Sequence, residues 1–569
     1  NEWHAALAVL ERARRCLRKH NLSFREAWWA TRAGHVFTTH TPVALGFDAF
    51  APSLVYKYAR DLLADCRLSL RELLALGRAD PADDREPFNL TYLALRGCAQ
   101  SSAVSRLHGA VSRELFGGLF PRWPIDEVPV RHVTNGVHVP SWDSSWADAL
   151  WTRACGKNRW LVDSACLTSS VANCDDAVLW ELAANERRDL VRYTRDRLAR
   201  QLGQRGESPQ RVALAEQVLD PNILTLGLAR RFTGYKRPNL LLCDPVRLRR
   251  LLTDPHRPVQ LVLAGKAHPA DKEGKRMIQE WIELARQPEL RPRVVFLEDY
   301  DIYLAQQLVQ GVDVWINTPR RPWEACGTSG MKVLVNGGIN LSELDGWWAE
   351  AYTPEVGWAL GDGQEHGDDP AWDARDANAL YDLLEREVIP EFYARDDQGI
   401  PGAWVARIRE SMACLTPVFS SNRAVREYTE QHYLPAASAY RKRAADQGAT
   451  GVQLVNWRRA LEQKWPALRF GETKVQTDGA QHVFEVQVYL DDLDPDAVRV
   501  ELYADGVDGS ASERVEMKRV HQLLGATNGF AYHAAVPAAR PATDYTARVI
   551  PQFPGATVPL EACQILWQR

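Results

Sequence analysis

Short apolar runs alternate with helical patterns from residue 206 onward, and this alternation constrains the fold more than any other feature. The apolar runs read ILTLGLARR, VQLVLAGKA, RVVFLED and VDVWINT, and segments such as DKEGKRMIQEWIELAR and IYLAQQLVQG follow them. Continuous apolar strands joined by helices are typical of βαβ units, whose parallel sheet is covered on both faces. We therefore predict an α/β fold with a Rossmann-like parallel sheet.

Other patterns flank this region and suggest further domains. Helical patterns resume at residues 371–440, and a polar, basic segment follows. Beyond it the period becomes two, since Phe484, Val486 and Val488 alternate with polar side chains, which predicts a β-sandwich. The predicted domains are residues 1–205, a lobe at 206–440, a linker at 441–465 and the sandwich at 466–569.

Composition excludes several function classes. The chain has 569 residues, 25% of them charged, and a formal net charge of -4, so it has no broad positive field for a nucleic acid or an anionic membrane. Its ten cysteines show no CxxC or paired Cys/His spacing, which indicates reduced thiols and no zinc site. No apolar run approaches the roughly 20 residues that span a bilayer. We expect a cytoplasmic protein without a metal site.

The stretch TPRRPWEACGTSGMKVLVNGG, directly after one apolar run, combines small residues with a lysine. Small residues at a helix start leave backbone N–H groups free to hold a phosphate closely. Lys332 lies five positions after Gly327, and a lysine beside a held phosphate is what pyridoxal phosphate requires. The plainer alternative is a helix N-terminus with a surface lysine.

Four cations follow the first apolar run, in the segment RRFTGYKR. They are Arg230, Arg231, Lys236 and Arg237. Ligands of parallel sheets bind at the carboxyl ends of the strands, so this cluster suggests an anion site, with a solvated helix start as the alternative.

Five motifs, in this order, resemble the α-glucan (glycogen or maltodextrin) phosphorylases in their bacterial form. They are FTTHTP, VTNGVH, RRFTGYKR, LAGKAHPADKEGK and NTPRRPWEACGTSGMKVLVNGGINLSELDGWW. The resemblance covers about residues 20–440 and leaves the β-sandwich outside. It implies a two-lobed glycosyltransferase architecture of the GT-B type. It also implies phosphorolysis of α-1,4-glucan ends by inorganic phosphate, which releases α-D-glucose 1-phosphate with retention, assisted by pyridoxal 5'-phosphate.

The resemblance assigns roles to individual residues. Lys332 matches the lysine that holds the cofactor covalently, and Arg231 matches the arginine that binds the substrate phosphate. The residues implied around the cofactor are Gly327, Thr328, Arg230, Lys236 and Tyr300. The residues implied around the glucosyl unit are His40, Asn135, Glu324, Cys326 and Gly327. Lys332, Arg231 and Lys236 are the implied catalytic residues, and no protein carboxylate is needed as the general acid.

The sequence departs from the family pattern in three ways. Cys326 stands where many relatives have serine, and Arg230 replaces a common lysine. The family's N-terminal lobe, with a glycine-rich loop over the substrate phosphate, is expected to precede position 1. The first lobe is therefore expected to be incomplete, and the activity of this chain alone is open.

Two other functions stay open at this point. A nucleotide-sugar glycosyltransferase of the same architecture would bind a sugar nucleotide and no pyridoxal phosphate. A catalytically incomplete chain could bind glucan through the sandwich and through Trp347 and Trp348, if those tryptophans are exposed rather than part of the core. The homodimer that is common in this family is also left open.

Overall fold

A computed structural model describes residues 1–159, 164–507 and 510–568. Its α-helices are α1 Leu7–His20, α2 Phe24–Arg32, α3 Pro52–Cys66, α4 Leu70–Ala75, α5 Leu90–Gly97, α6 Arg106–Phe116, α7 Val139–Trp142, α8 Ser145–Cys155, α9 Ser164–Ala172, α10 Asp176–Gln204, α11 Pro209–Ala213, α12 Pro245–Thr253, α13 Lys272–Ala285, α14 Ile302–Gly311, α15 Ser329–Leu334, α16 Trp348–Ala351, α17 Pro370–Leu383, α18 Ile389–Tyr393, α19 Gly402–Glu410, α20 Thr416–Val418, α21 Ser421–Tyr428, α22 Leu434–Ala444 and α23 Ala449–Lys464. Its strands are β1 Val36–Thr38, β2 Ala49–Phe50, β3 Phe88–Asn89, β4 Gln100–Ala103, β5 Arg131–His132, β6 Leu224–Arg231, β7 Val259–Lys266, β8 Val294–Leu297, β9 Val314–Asn317, β10 Ile339–Glu343, β11 Gly357–Leu360, β12 Arg469–Asp478, β13 Gln481–Tyr489, β14 Val498–Ala504, β15 Glu513–Glu516, β16 Lys518–Gln522, β17 Gly529–Pro537, β18 Thr546–Pro551 and β19 Leu566–Trp567.

One compact unit, residues 104–108 and 132–428, contains the parallel sheet. Its six strands are ordered β11-β10-β9-β6-β7-β8, and every neighbouring pair is parallel. The chain therefore runs outward from β6 in one direction through β7 and β8, and then in the other direction through β9, β10 and β11. The direction reverses between β6 and β9, and ligands of such sheets bind at the carboxyl ends of the strands beside this point.

The strands are apolar on both faces because helices cover both sides of the sheet. On β7, Leu261 and Leu263 belong to one buried cluster, while Val262 and Ala264 belong to another. All four side chains are at most 1% exposed. The predicted parallel sheet with two covered faces is thus confirmed.

The other compact unit consists of residues 1–103, 109–131 and 429–569. Its C-terminal part has two antiparallel sheets, ordered β12-β13-β17-β16 and β15-β14-β18-β19. The inward side chains of β13 and β14, among them Val486, Val488, Val500 and Leu502, share one buried cluster. Two antiparallel sheets around one shared core confirm the predicted β-sandwich.

The segment predicted as a linker, residues 441–465, is corrected by the structure. Helix α23, Ala449–Lys464, occupies most of it, and Leu454, Trp457 and Leu461 are buried along one face. Apolar residues at spacings of three and four form the buried stripe of a helix, while the basic residues of the outer face give the segment its polar composition. The compact units also divide the chain at other places than the predicted domains do, since residues 132–205 group with the parallel sheet.

Candidate active site

The reversal point of the parallel sheet brings two sequence motifs together. Strand β6 ends at Arg231, and β9 ends at Asn317, before the loop that leads into α15. In that loop, Glu324 accepts hydrogen bonds from Arg230 and Lys236, with its Oε2 atom 3.2 Å and 2.5 Å from their nitrogens. The cation cluster and the small-residue loop, which lie about ninety positions apart, therefore line one site.

Lys332 lies in the second turn of α15 and is half-buried. Its Nζ atom is 3.8 Å from the ring centroid of Trp142, and burial lowers the pKa of its amine. Among the described residues, Lys332 has no ion pair with a carboxylate. A desolvated lysine without a carboxylate partner deprotonates more readily, and the neutral amine is the form that attacks a carbonyl carbon.

The loop before α15 offers hydrogen-bond donors that lack acceptors. Gly327 has a φ of +80°, and a Cβ atom there would lie 3.2 Å from Cγ of Glu324. Within the described part of the chain, the N–H groups of Gly327 and Thr328 have no acceptor, and neither do the buried Nε atoms of Arg230 and Arg321. Unsatisfied donors around a loop whose left-handed position is taken by glycine are what a bound phosphate would require. These residues fit a phosphate-bearing carbonyl cofactor.

The charges in this site are only partly balanced. Arg230 and Lys236 share the single carboxylate of Glu324, and Arg231 is exposed at the end of β6. Burial, together with the neighbouring charge of Arg230, lowers the pKa of Lys236 to about 8, although Glu324 opposes the shift. The site therefore holds an excess of positive charge for an anion.

The other predicted residues of this unit lie close to the same loop. Tyr300 is half-buried, and its pKa is raised by burial against an opposing effect of the nearby Arg230 charge. Cys326 is buried, its pKa is raised by burial, and its thiol lies near the backbone of Asn135. The carbonyl of Asn135 accepts a hydrogen bond of 3.2 Å from Arg423.

His40 belongs to the other compact unit. Its backbone N–H donates to the carboxylate of Glu2 at 2.5 Å, and its ring Nδ1 lies 3.6 Å from the same carboxylate. The assignment of His40 to the sugar stays a prediction. Trp347 and Trp348 are 2% and 0% exposed, so they belong to the core and offer no surface for glucan.

Two residues that the sequence did not single out connect to Lys332. Trp142 lies under its amine, and the buried side chain of Asn336 joins the two segments. Asn336 donates to the carbonyls of Trp142 and Lys332 at 3.0 and 3.1 Å and accepts from the Ser144 N–H at 2.8 Å. Trp142 ends the motif VTNGVHVPSW and Asn336 follows GMKVLV, but neither pattern reveals the contact between them.

We expect Asn336→Ala to reduce the stability of the sheet unit by about 2–3 kcal/mol, because several buried backbone groups lose their partner. The substitution also detaches Trp142 from the helix that carries Lys332. Chemical denaturation of the full chain measures the effect, with Asn173→Ala, at an exposed position after α9, as the control. Equal stability of the two variants would contradict the role of Asn336.

Arg237, the fourth cation of the cluster, is used inside the protein. It is buried, and it pairs with Glu343, Asp373 and Asp376 at 2.9, 3.0 and 2.6 Å. Burial and the neighbouring Asp376 raise the pKa of Glu343 to about 8, against the opposing charge of Arg237. Arg237 therefore stabilises the fold and is not available to a ligand.

The described residues lack three further features, namely a membrane-spanning helix, a metal-binding cluster and a disulfide. No helix is long and apolar enough to cross a membrane. No three His, Cys, Asp or Glu side chains are grouped so that they could hold a metal ion. The nine cysteines that the structure describes are free thiols.

Comparison with known proteins matches this chain to two family models. The model of the carbohydrate phosphorylases matches residues 1–357, and that of the glycogen phosphorylase C-terminal domain matches residues 465–569. The β-sandwich, which the sequence resemblance left outside, is therefore part of the family. These matches are consistent with the predicted GT-B type architecture.

Three relatives illustrate the similarity. Glycogen phosphorylase of Mycobacterium tuberculosis (strain ATCC 25618 / H37Rv) is 38% identical over 575 residues, which cover 97% of this chain and 65% of the relative. Maltodextrin phosphorylase of Thermococcus litoralis is 35% identical over 561 residues, which cover 97% of this chain and 65% of the relative. Glycogen phosphorylase of Aquifex aeolicus is 39% identical over 438 residues, which cover 76% of this chain and 62% of the relative. The chain thus spans slightly less than two thirds of each relative's length. With a family model that matches well over half of its residues, the chain belongs to the carbohydrate phosphorylase family.

Proposed function

We propose that this chain acts in the phosphorolysis of α-1,4-glucan, in which inorganic phosphate cleaves the non-reducing end and α-D-glucose 1-phosphate is released. The observation that carries the proposal is the meeting of Arg230, Lys236 and the Lys332 loop at the reversal point of the parallel sheet. The names of the relatives, glycogen and maltodextrin phosphorylase, support the reaction class.

Pyridoxal 5'-phosphate is the cofactor that these residues fit. Lys332 would hold its carbonyl carbon, and the free N–H groups of Gly327 and Thr328, with Arg230, would hold its phosphate. Tyr300 would pack beside it. When bound, the cofactor supplies a second phosphate group that assists proton transfer at the substrate phosphate.

Arg231 would bind the inorganic phosphate, next to the cofactor phosphate that Lys236 helps to hold. Two phosphate groups about 5 Å apart repel each other by about 3 kcal/mol per pair of unit charges at an effective dielectric constant of 20. The surplus cations of the site offset this repulsion. Glu324 forms ion pairs with Arg230 and Lys236 in the structure. We infer that these ion pairs break when the anions bind.

The glucosyl unit would be oriented by polar groups around the same loop. Glu324, once released from the cations, would accept from sugar hydroxyls, together with the Asn135 side chain and the backbone at Cys326 and Gly327. His40 is the further sugar ligand that the resemblance proposes. The substrate phosphate would protonate the glycosidic oxygen, so no protein carboxylate is required as the acid.

The test is the phosphate-dependent release of glucose 1-phosphate. Purified chain loaded with pyridoxal phosphate is incubated with maltoheptaose, with and without inorganic phosphate. We expect glucose 1-phosphate only when phosphate is present. Transfer of glucose from a sugar nucleotide, on a chain that takes up no pyridoxal phosphate, would instead favour the glycosyltransferase alternative.

The pH dependence should identify Lys236. Its pKa of about 8 means that the side chain loses its positive charge as the pH rises through this value. We expect kcat/KM for phosphate to fall above about pH 8, approaching tenfold per pH unit. In Lys236→Arg the cation persists, because arginine stays charged. The pH above which kcat/KM falls should therefore rise by at least one pH unit. The control is Lys272→Arg, at an exposed position in α13, and an unshifted fall of kcat/KM in Lys236→Arg would contradict the assignment.

A further inference from the structure

A cleft of about 110 Å³ opens beside β8, which is the edge strand of the parallel sheet. Its walls come from β8, from the C-terminal ends of α10 and α13, and from the segment around α11. None of the residues predicted for the active site lines it. The cleft is therefore independent of the proposed phosphorolysis.

The floor of the cleft is apolar. Its apolar lining includes Leu198, Leu202, Ala215, Val218, Ile282 and Ala285. Ala215 and Val218 are 1% and 2% exposed, so the floor is continuous with the buried core. An apolar ring or a short chain placed here would be transferred out of water, which contributes about 25 cal/mol per Å² of buried apolar surface.

The backbone of β8 is not available to a peptide. Gln201 donates from its amide to the Phe296 carbonyl at 3.2 Å and accepts from the Glu298 N–H at 3.0 Å. Arg197 in turn donates to the Glu298 carbonyl at 3.1 Å. Because side chains already occupy these edge groups, an added strand would have to displace them, and a small molecule fits the cleft better.

Arginine dominates the rim of the cleft. The charged residues of the lining are Arg205, Arg211, Arg286, Arg291, Glu207 and Glu298. The two glutamates pair with Arg205 and Arg211. The lining therefore carries two more positive than negative charges.

The two remaining arginines are the ones that could receive a ligand. Within the described ranges, Arg286 and Arg291 have no carboxylate at ion-pair distance. Arg286 is close enough to the rim to help lower the pKa of Glu207, after the larger effect of the hydrogen bond from Arg211. Arg291 donates to the Arg286 backbone carbonyl at 3.1 Å, so its guanidinium lies beside the backbone from which the Arg286 side chain extends.

We propose that this cleft is a binding site for a small amphiphilic carboxylate, whose apolar ring or chain lies on the floor while its carboxylate pairs with Arg286 and Arg291. A planar carboxylate matches the fork of a guanidinium.

The experiment is isothermal titration calorimetry of the full chain with 4-phenylbutyrate. We expect saturable binding at one site. The alcohol 4-phenylbutan-1-ol, which lacks the carboxylate, should bind at least about tenfold more weakly. Acetate, which lacks the apolar ring, should also bind at least about tenfold more weakly. Absence of saturable 4-phenylbutyrate binding would overturn the proposal, and tighter binding of phenyl phosphate at this site would overturn the choice of a carboxylate.

Variants locate the binding site. The double variant Arg286→Gln/Arg291→Gln should weaken 4-phenylbutyrate binding by at least about tenfold, since both charge-assisted contacts are lost. Arg276→Gln, on the outer face of α13 and outside the cleft lining, is the matched control and should bind like the unmodified chain. Thermal unfolding checks that each variant is folded, and the single substitutions are measured in parallel. Unchanged affinity in the double variant would contradict the site.

Discussion

Replacing Lys332 by methionine is expected to abolish covalent uptake of pyridoxal phosphate and to reduce phosphorolysis by at least about 1000-fold. Methionine keeps an unbranched apolar stem of four heavy atoms but removes the amine that lies on the Trp142 ring. Borohydride reduction followed by peptide mass spectrometry measures the uptake. A phosphopyridoxyl group should appear on the peptide that contains Lys332 in the unmodified chain and should be absent from the variant.

The control for this prediction is Lys272→Met, which removes an exposed lysine of the same compact unit. We expect it to retain both the covalent group and the activity. A phosphopyridoxyl group that persists in Lys332→Met, on another lysine, would refute the assignment of Lys332. Uptake on Lys332 without turnover would preserve the cofactor site and would separate it from the activity of this chain.

The sequence predicted the sheet well because its signal is local. Four apolar runs with helices between them define βαβ units wherever they occur, and the buried clusters on the two faces of β7 follow from them. The linker prediction failed for the opposite reason. Composition describes the exposed face of α23, whereas the burial of Leu454, Trp457 and Leu461 depends on the spacing of its apolar residues.

In the candidate site, the sequence pattern could not distinguish cations that bind a ligand from cations that stabilise the fold. RRFTGYKR presents four equivalent cations, yet Arg230 and Lys236 share Glu324, Arg231 is exposed, and Arg237 is enclosed by carboxylates. Their partners lie between 88 and 139 positions away along the chain. The contact of Trp142 with Lys332 likewise joins distant segments, so only the folded chain reveals it.

Arg237→Met should therefore act on stability, with an expected loss of about 3–5 kcal/mol in the free energy of unfolding of the sheet unit. The substitution removes hydrogen bonds to the carbonyls of Thr318 and Pro319 as well as the ion pairs. It also leaves the buried carboxylates of Glu343 and Asp376 without their cation. Guanidinium denaturation of the full chain at pH 8 measures the loss.

The pH dependence of this loss has a definite sign. The pKa of Glu343 is about 8 in the folded chain, far above its ordinary value, so the folded state binds this proton more tightly than the unfolded state does. Stability linked to Glu343 is complete at low pH and is lost as the pH rises through about 8. Without Arg237, the neutral form of Glu343 is favoured further. The loss in free energy of unfolding caused by Arg237→Met should therefore be smaller at pH 6 than at pH 9.

Arg231→Met is the matched comparison, since it removes a neighbouring arginine that is exposed and that pairs with no buried carboxylate among the described residues. We expect its denaturation midpoint to be unchanged while KM for phosphate rises by about tenfold or more, because a charge-assisted contact to the anion is lost. The two variants should thus separate folding from ligand binding within one eight-residue motif. If Arg231→Met lost stability and Arg237→Met did not, the division of this cluster into a ligand arginine and a structural arginine would be wrong.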